Sequence, residues 1–203
     1  MDVIQPENVM KRRKKGLNFG RRRKRFDKDI FLEGFSWVVQ IIGVILIAYV
    51  CVAFFGIRTN VVGQAMEENL NNGDSVLMNQ FVYIMSNPKA GDVVVFQPNG
   101  NEKSHYYIRR VIGVPGDKVQ IKDGAVYING ELFNEKVTVS SIEDAGVASE
   151  EIKLGNDEYF VLGDNRNNSE DSRYANIGNI KKEYIVGKAW FRFNSFRDMG
   201  FIH

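Results

Sequence analysis

The chain has one cysteine and two histidines in 203 residues. Cys51 therefore has no partner for an intramolecular disulfide, and its place inside an apolar run reads as a small buried hydrophobe. His105 and His203, with that single thiol, give no familiar spacing of metal ligands, so neither a metal nor another cofactor is expected. Internal repeats are absent, and so are low-complexity tracts outside the first 30 or so residues. An excess of charge of one sign is missing as well, since the formal net charge is only +2. That small total hides an asymmetry. Residues 1–55 hold 11 Lys/Arg against 5 Asp/Glu, a balance of +6, which leaves 16 against 20 for the remainder, a balance of −4. A basic head on a mildly acidic body is not the footprint of a nucleic-acid-binding domain, and no nucleic-acid partner is expected. The hydrophobic fraction of 44%, with 2 Trp, 8 Tyr and 14 Phe, suffices for one globular domain and an anchor.

One long apolar run is present. Phe35 to Phe55 reads FSWVVQIIGVILIAYVCVAFF without a charge. At about 1.5 Å per residue such a helix covers about 31 Å, enough for a bilayer core. Its length argues against a core helix. The absence of a small-x-small pattern just after it argues against a cleaved signal peptide. A retained transmembrane helix over 35–55 is expected, with Trp37 near one interface. Two basic blocks, Lys11 to Lys15 and Arg21 to Arg25, precede it, whereas only Arg58 follows closely. Basic flanks stay on the cytoplasmic side and attract anionic membrane lipid. The reading is thus a basic cytoplasmic segment over 1–34, a single pass over 35–55 and an extracytoplasmic domain over 56–203.

In that domain helical periodicity is scarce and short strand-like runs dominate: 93–97, 106–114, 118–121, 125–130, 159–163 and 188–193 are rich in β-branched and aromatic residues. Turn signals such as Pro115-Gly116-Asp117 and Lys122-Asp123-Gly124 separate them. The expected fold is mainly β, an antiparallel sheet domain after one N-terminal transmembrane helix. Residues 134–158, mostly polar and small, read as an excursion from the sheet.

Four segments, in order, carry a family resemblance. Met66-Glu67-Glu68-Asn69-Leu70 with Gly73-Asp74-Ser75-Val76-Leu77 resembles the "SMxPTL…GDxVLV" stretch of the type I signal peptidases. Residues 89–96 (KAGDVVVF) are similar to their "RGDIVVF", residues 107–117 (YIRRVIGVPGD) to "YIKRVIGLPGD", and residues 163–173 (GDNRNNSEDSR) to "GDNRxNSxDSR". The resemblance runs from the anchor to about Phe196. It implies the signal-peptidase β-fold and, because Gram-positive members have a single anchor, a bacterial plasma membrane.

The family uses a Ser–Lys dyad. A serine hydroxyl needs a base, and a lysine can be that base only where burial makes it neutral. By resemblance the nucleophile falls on Ala65 and the base on Arg109. Alanine offers no nucleophile, and arginine keeps its proton at any physiological pH. Glu68 and Asn69 stand where the family has Pro and Thr, a change in the turn behind the nucleophile. Gly63 stands at the oxyanion-hole position and Met66 beside the nucleophile. Ser169 is implied to support the base by hydrogen bonding, and Asp171 with Arg173 to form a nearby ion pair; with Asp164 they read as a loop that braces the domain. Arg109 is either a surface arginine tolerated in an adapted site, or a cation paired with Asp171 or with a partner's carboxylate. Other serines offer little: Ser75 has no lysine at dyad spacing, and Ser104-His105 has no acid placed to orient the histidine.

The leading expectation is a signal-peptidase-like membrane protein without catalysis, similar to the factors of that kind in Gram-positive pilus assembly, which binds a secreted or pilin-type polypeptide by strand addition. The alternative is an active type I signal peptidase, a serine endopeptidase that removes signal peptides.

Overall fold

A computed structural model of the chain describes residues 28–55, 57–101, 104–194 and 199–202. The basic blocks at 11–15 and 21–25 lie outside the described residues, as do Phe196 and His203.

The apolar run forms helix α1, Lys28–Phe55. It is about 42 Å long at 1.5 Å per residue. It includes Lys28 to Gly34, ahead of the expected span, a stretch that contains no proline to stop a helix. Ile30–Val52 is long and apolar enough to cross a membrane, and none of it is buried within the protein. Cys51 is correspondingly exposed, not buried in a core.

The remaining elements are β1 (Ile57–Asn60), β2 (Ser75–Asn79), the single-turn α2 (Val82–Met85), β3 (Val93–Phe96), β4 (Tyr107–Gly113), β5 (Lys118–Lys122), β6 (Ala125–Ile128), β7 (Glu131–Leu132), β8 (Ile152–Lys153), β9 (Glu158–Leu162), β10 (Ile180–Lys181), β11 (Ile185–Phe193) and β12 (Met199–Phe201). The larger sheet runs β1-β2-β11-β3-β4-β9-β10, with β12 added to β11. A second sheet runs β7-β6-β5-β8. Every pairing is antiparallel, so the expected mainly β, antiparallel class is what the chain adopts.

β4 is central to the larger sheet. Its register sets Arg109 opposite Val94 and Arg110 opposite Val93 and Leu162. Side chains alternate along a strand, so these two arginines leave β4 on opposite faces. The excursion at 134–158 is less separate than its polarity suggests: Ile142, Ala148 and Leu154 are buried in the core of the smaller sheet, and β8 completes that sheet.

Candidate functional site

Three segments converge on one groove of about 570 Å³. The first is the connection from β1 to β2. Val61 N donates to Asp74 O (2.8 Å) and Gly73 N to Val61 O (2.9 Å), which closes the connection into a loop. Met66 and Leu70, 1% and 0% exposed, sink its middle into the core. Burial on that scale is worth about 1.5–3 kcal/mol per side chain. Between that closure and the buried Met66 stand Gly63, Gln64 and Ala65, all on the groove wall. Gly63 has a φ of +87°, and its N–H donates to Asn72 Oδ1 (3.1 Å). Ala65 is buried, at 7% exposure.

The second segment is β4 with the residues before it. Tyr107 and Arg109 line the groove, as do His105 and Tyr106. Arg109 is only 6% exposed. Its Nε donates to Glu170 O (2.8 Å) and its Nη1 to Ile108 O (2.7 Å), while its guanidinium stacks over the Tyr107 ring, 5.0 Å from the centroid. Tyr107 in turn donates its hydroxyl to Glu170 Oε2 (3.0 Å). Burial pushes the Arg109 pKa down; the charges of Asp171, Tyr107 and Glu170 oppose that shift.

The third segment is the 163–174 connection from β9 to β10, which holds the first in place. Asn165 N donates to Ala65 O (3.0 Å) and Asn168 Nδ2 to Gln64 Oε1 (2.9 Å). Gly163 is required by space: a Cβ there would collide with the Ser169 hydroxyl and with the Ala65 carbonyl, so these three groups meet at one point. Asp171 is fully buried and receives Arg173 Nε and Nη2 (2.8 and 2.9 Å) and the Gly163 N–H (3.1 Å). Burial disfavours the charge of Arg173, but Asp171 outweighs it and raises the Arg173 pKa. Ser169 lines the groove, and its Oγ is buried without a hydrogen-bond partner.

The residues singled out from the sequence therefore fall into two groups. Gly63, Ala65, Arg109 and Ser169 line the groove. Met66, Asp164, Asp171 and Arg173 are buried behind it. Arg109 is not a surface arginine, and it does not pair with Asp171, whose oxygens are occupied by Arg173 and Gly163. Ser169 Oγ makes no hydrogen bond to the side chain at position 109, whose Nε donates instead to the Glu170 carbonyl. Ser75 is remote from the groove, bonded to Asn60 and Arg58. Among the described residues no lysine lines the groove.

Several contacts were not anticipated. Asp164 receives Arg110 bidentately, at 2.8 and 2.7 Å, and also Asn69 Nδ2 at 2.8 Å. The signal was available, since Arg110 shares a strand face with Ile108 and Ile112, and a charge there demands a buried partner. Arg166 is clamped by Glu135 from the excursion, a contact for which no local pattern exists. Glu68 adopts φ +83°, a conformation closed to the proline that the family has at this position.

A family model described as signal peptidase, peptidase S26 matches residues 34–194. The chain belongs to this family. It is 35% identical over 159 residues to signal peptidase I P of Bacillus subtilis subsp. natto, covering 75% of this chain and 84% of that relative. It is 33% identical over 172 residues to signal peptidase I of Bacillus licheniformis, covering 81% and 91%. Signal peptidase IB of Staphylococcus aureus is 33% identical over 183 residues, covering 82% and 92%. Among solved structures, a signal peptidase I from Enterococcus faecalis V583 is 28% identical, with a TM-score of 0.39, and covers 51% of this chain and 97% of its own.

Proposed function

We propose that this member of the signal peptidase family does not hydrolyse peptide bonds and uses its groove to hold a secreted or pilin-type polypeptide during surface assembly. One observation carries the reading: Ala65 and Arg109, which occupy the nucleophile and base positions of the family pattern, both line the groove. A methyl group cannot attack a carbonyl, and a guanidinium cannot take a proton at neutral pH. The groove's serine, Ser169, has no hydrogen bond to a base. In this reading α1 is a single-pass anchor in the plasma membrane, with the amino end cytoplasmic and the β domain outside. The full chain in detergent is expected to leave a pre-protein with a small-x-small site intact over a time in which a Bacillus relative processes it completely. A reporter active only outside the cytoplasm should work when fused after Phe196 and fail when fused after Gly20.

A second reading, an active signal peptidase that removes signal peptides, is favoured by the names of relatives at 33–35% identity. It requires an unusual nucleophile. Cleavage by the unaltered chain that disappears in Ser169→Ala or His105→Ala would establish it and remove the first.

A further inference from the structure

Arg109 is charged, buried and without an ion pair. Its Nε and Nη1 donate to the Glu170 and Ile108 carbonyls, which carry no full charge. Nη2 makes no hydrogen bond and is not sealed from the groove. Two carboxylates are near enough to matter, and both are engaged elsewhere. Asp171 is held by Arg173 and the Gly163 N–H. Glu170 is held by the Tyr107 hydroxyl at the exposed lip. A buried charge without a counter-charge is expensive, and it is usually paired or awaits a partner.

A second unsatisfied group is buried just behind the same wall. The Ser169 hydroxyl is buried beside the Ala65 carbonyl and donates to nothing in the free protein. Ala65 adds to this by omission, because its methyl group supplies neither a donor nor a charge to occupy the floor of the groove. The groove thus presents a cation beside a small side chain, with an idle hydroxyl buried just behind its wall.

Resting on the reading of the groove as a non-hydrolytic peptide site, we infer that its occupant is an extended polypeptide ending in a free α-carboxylate, which pairs with the Arg109 guanidinium at the groove floor. A chain terminus fits better than an internal acidic residue. The terminal carboxylate is attached directly to the backbone, so it reaches a cation at 6% exposure while the preceding residues stay extended along the wall. An aspartate or glutamate in mid-chain must instead carry the chain past the floor on both sides. The consequence is that the protein recognises the carboxyl end of a polypeptide rather than an internal stretch of one.

The test uses the full chain in detergent micelles and three fluorescent hexapeptides with alanine at the last and third-last positions. One ends as the free acid, one as the carboxamide, and one as a carboxamide with glutamate at the third position. The free acid is expected to bind about tenfold more tightly than its amide, the difference made by one charge-assisted contact. Arg109→Gln should bring the two to equality, with thermal unfolding showing that the variant is folded. Because the acid-to-amide ratio is measured on the unaltered chain, the outcome does not depend on that variant. Equal binding of acid and amide, both blocked by Ala65→Trp, would overturn the inference and leave the peptide groove standing. A glutamate peptide bound as tightly as the free acid would overturn the terminus as the source of the carboxylate. Failure of all three peptides to bind at millimolar concentration would overturn the inference and the groove reading together.

Discussion

Arg109 and Arg110 are neighbours in β4 and both are buried, yet they leave the strand on opposite faces into opposite surroundings. Arg110 meets Asp164 through two short hydrogen bonds and reaches the Gly91 carbonyl at 2.9 Å. Arg109 meets two backbone carbonyls and an aromatic ring, on the wall of a groove. The first arrangement closes a network that ties β4 to the β9–β10 connection and, through Asn69, to the β1–β2 connection. The second leaves a charge on the groove wall without a salt bridge. One face of the strand is therefore finished in the free protein, and the other is completed only by something that enters.

The comparison is broken most forcefully at Asp164. Asp164→Ala strips Arg110 of its counter-charge in a position only 3% exposed and frees Asn69 as well. Removing one partner of a buried pair costs about 3–5 kcal/mol. The denaturation midpoint should fall accordingly, measured on the detergent-solubilised chain. A loss below about 1 kcal/mol would mean that the Arg110 side is as open as the Arg109 side.

A smaller effect is expected at the edge of the finished side. The Tyr83 hydroxyl donates to Asp92 Oδ2 (3.0 Å), next to the Gly91 carbonyl that receives Arg110. Burial first, and then the Asp92 carboxylate, raise the Tyr83 pKa well above its ordinary value of 10. A raised folded-state pKa contributes stability that is complete below the unfolded value and is lost as pH climbs beyond it. The domain should therefore weaken above pH of about 10. Tyr83→Phe should be about 1–2 kcal/mol less stable at neutral pH, with a shallower decline in alkali. A titration of unfolding free energy between neutral and strongly alkaline pH checks both slopes.

What was legible in the sequence follows the same division. Val93–Phe96 announces itself because burial on both faces demands an unbroken β-branched and aromatic run, and Tyr107–Gly113 does so through the β-branched and aromatic residues on either side of its two arginines. β7, β8 and β10 have two residues each and exist only because a neighbour pairs with them, so no local pattern marks them. The site is split in the same way. The positions of Ala65 and Arg109 could be read from motif order, which chain identity carries. That Arg109 would turn to the Glu170 carbonyl, and leave Ser169 idle, depends on how far a guanidinium reaches in three dimensions. The excursion at 134–158 looks polar in sequence because its buried residues, Ile142, Ala148 and Leu154, are too far apart to form a run.

On the groove side, the turn beneath Ala65 offers a way to sharpen the comparison without touching the groove itself. Glu68 is held at φ +83°, where an L-residue with a Cβ pays about 1–2 kcal/mol that glycine does not. Glycine returns part of this through its greater freedom in the unfolded chain. Glu68→Gly should accordingly stabilise by up to about 1 kcal/mol, and Glu68→Pro should destabilise, since proline cannot take that φ. Thermal unfolding of the two variants beside the parent gives the signs. If Glu68→Pro is the more stable, the turn relaxes easily to the form the family pattern implies, and the departure at this position has no bearing on the groove.

The smallest effect on stability is expected at Arg109 itself, and this sharpens the contrast most. Arg109→Met keeps a long, flexible side chain that can lie against the Tyr107 ring, and it removes a charge whose burial is opposed by desolvation. Against that gain stands the loss of two hydrogen bonds to the Glu170 and Ile108 carbonyls. Each carbonyl retains a second lone pair, and that of Glu170 belongs to a groove wall that water can reach, so the loss falls toward the lower end of the range for charged hydrogen bonds. Replacing a buried ionic group with an apolar one of similar size is often neutral or slightly favourable. The two effects nearly cancel, and the midpoint should move by less than about 1 kcal/mol, in contrast to the several lost at Asp164. Equilibrium unfolding of Arg109→Met and Asp164→Ala under one set of conditions makes the comparison direct. A loss at Arg109 as large as that at Asp164 would show that both arginines serve the fold alike. In that case the cation in the groove is a structural member, and its exposure to an incoming chain is incidental.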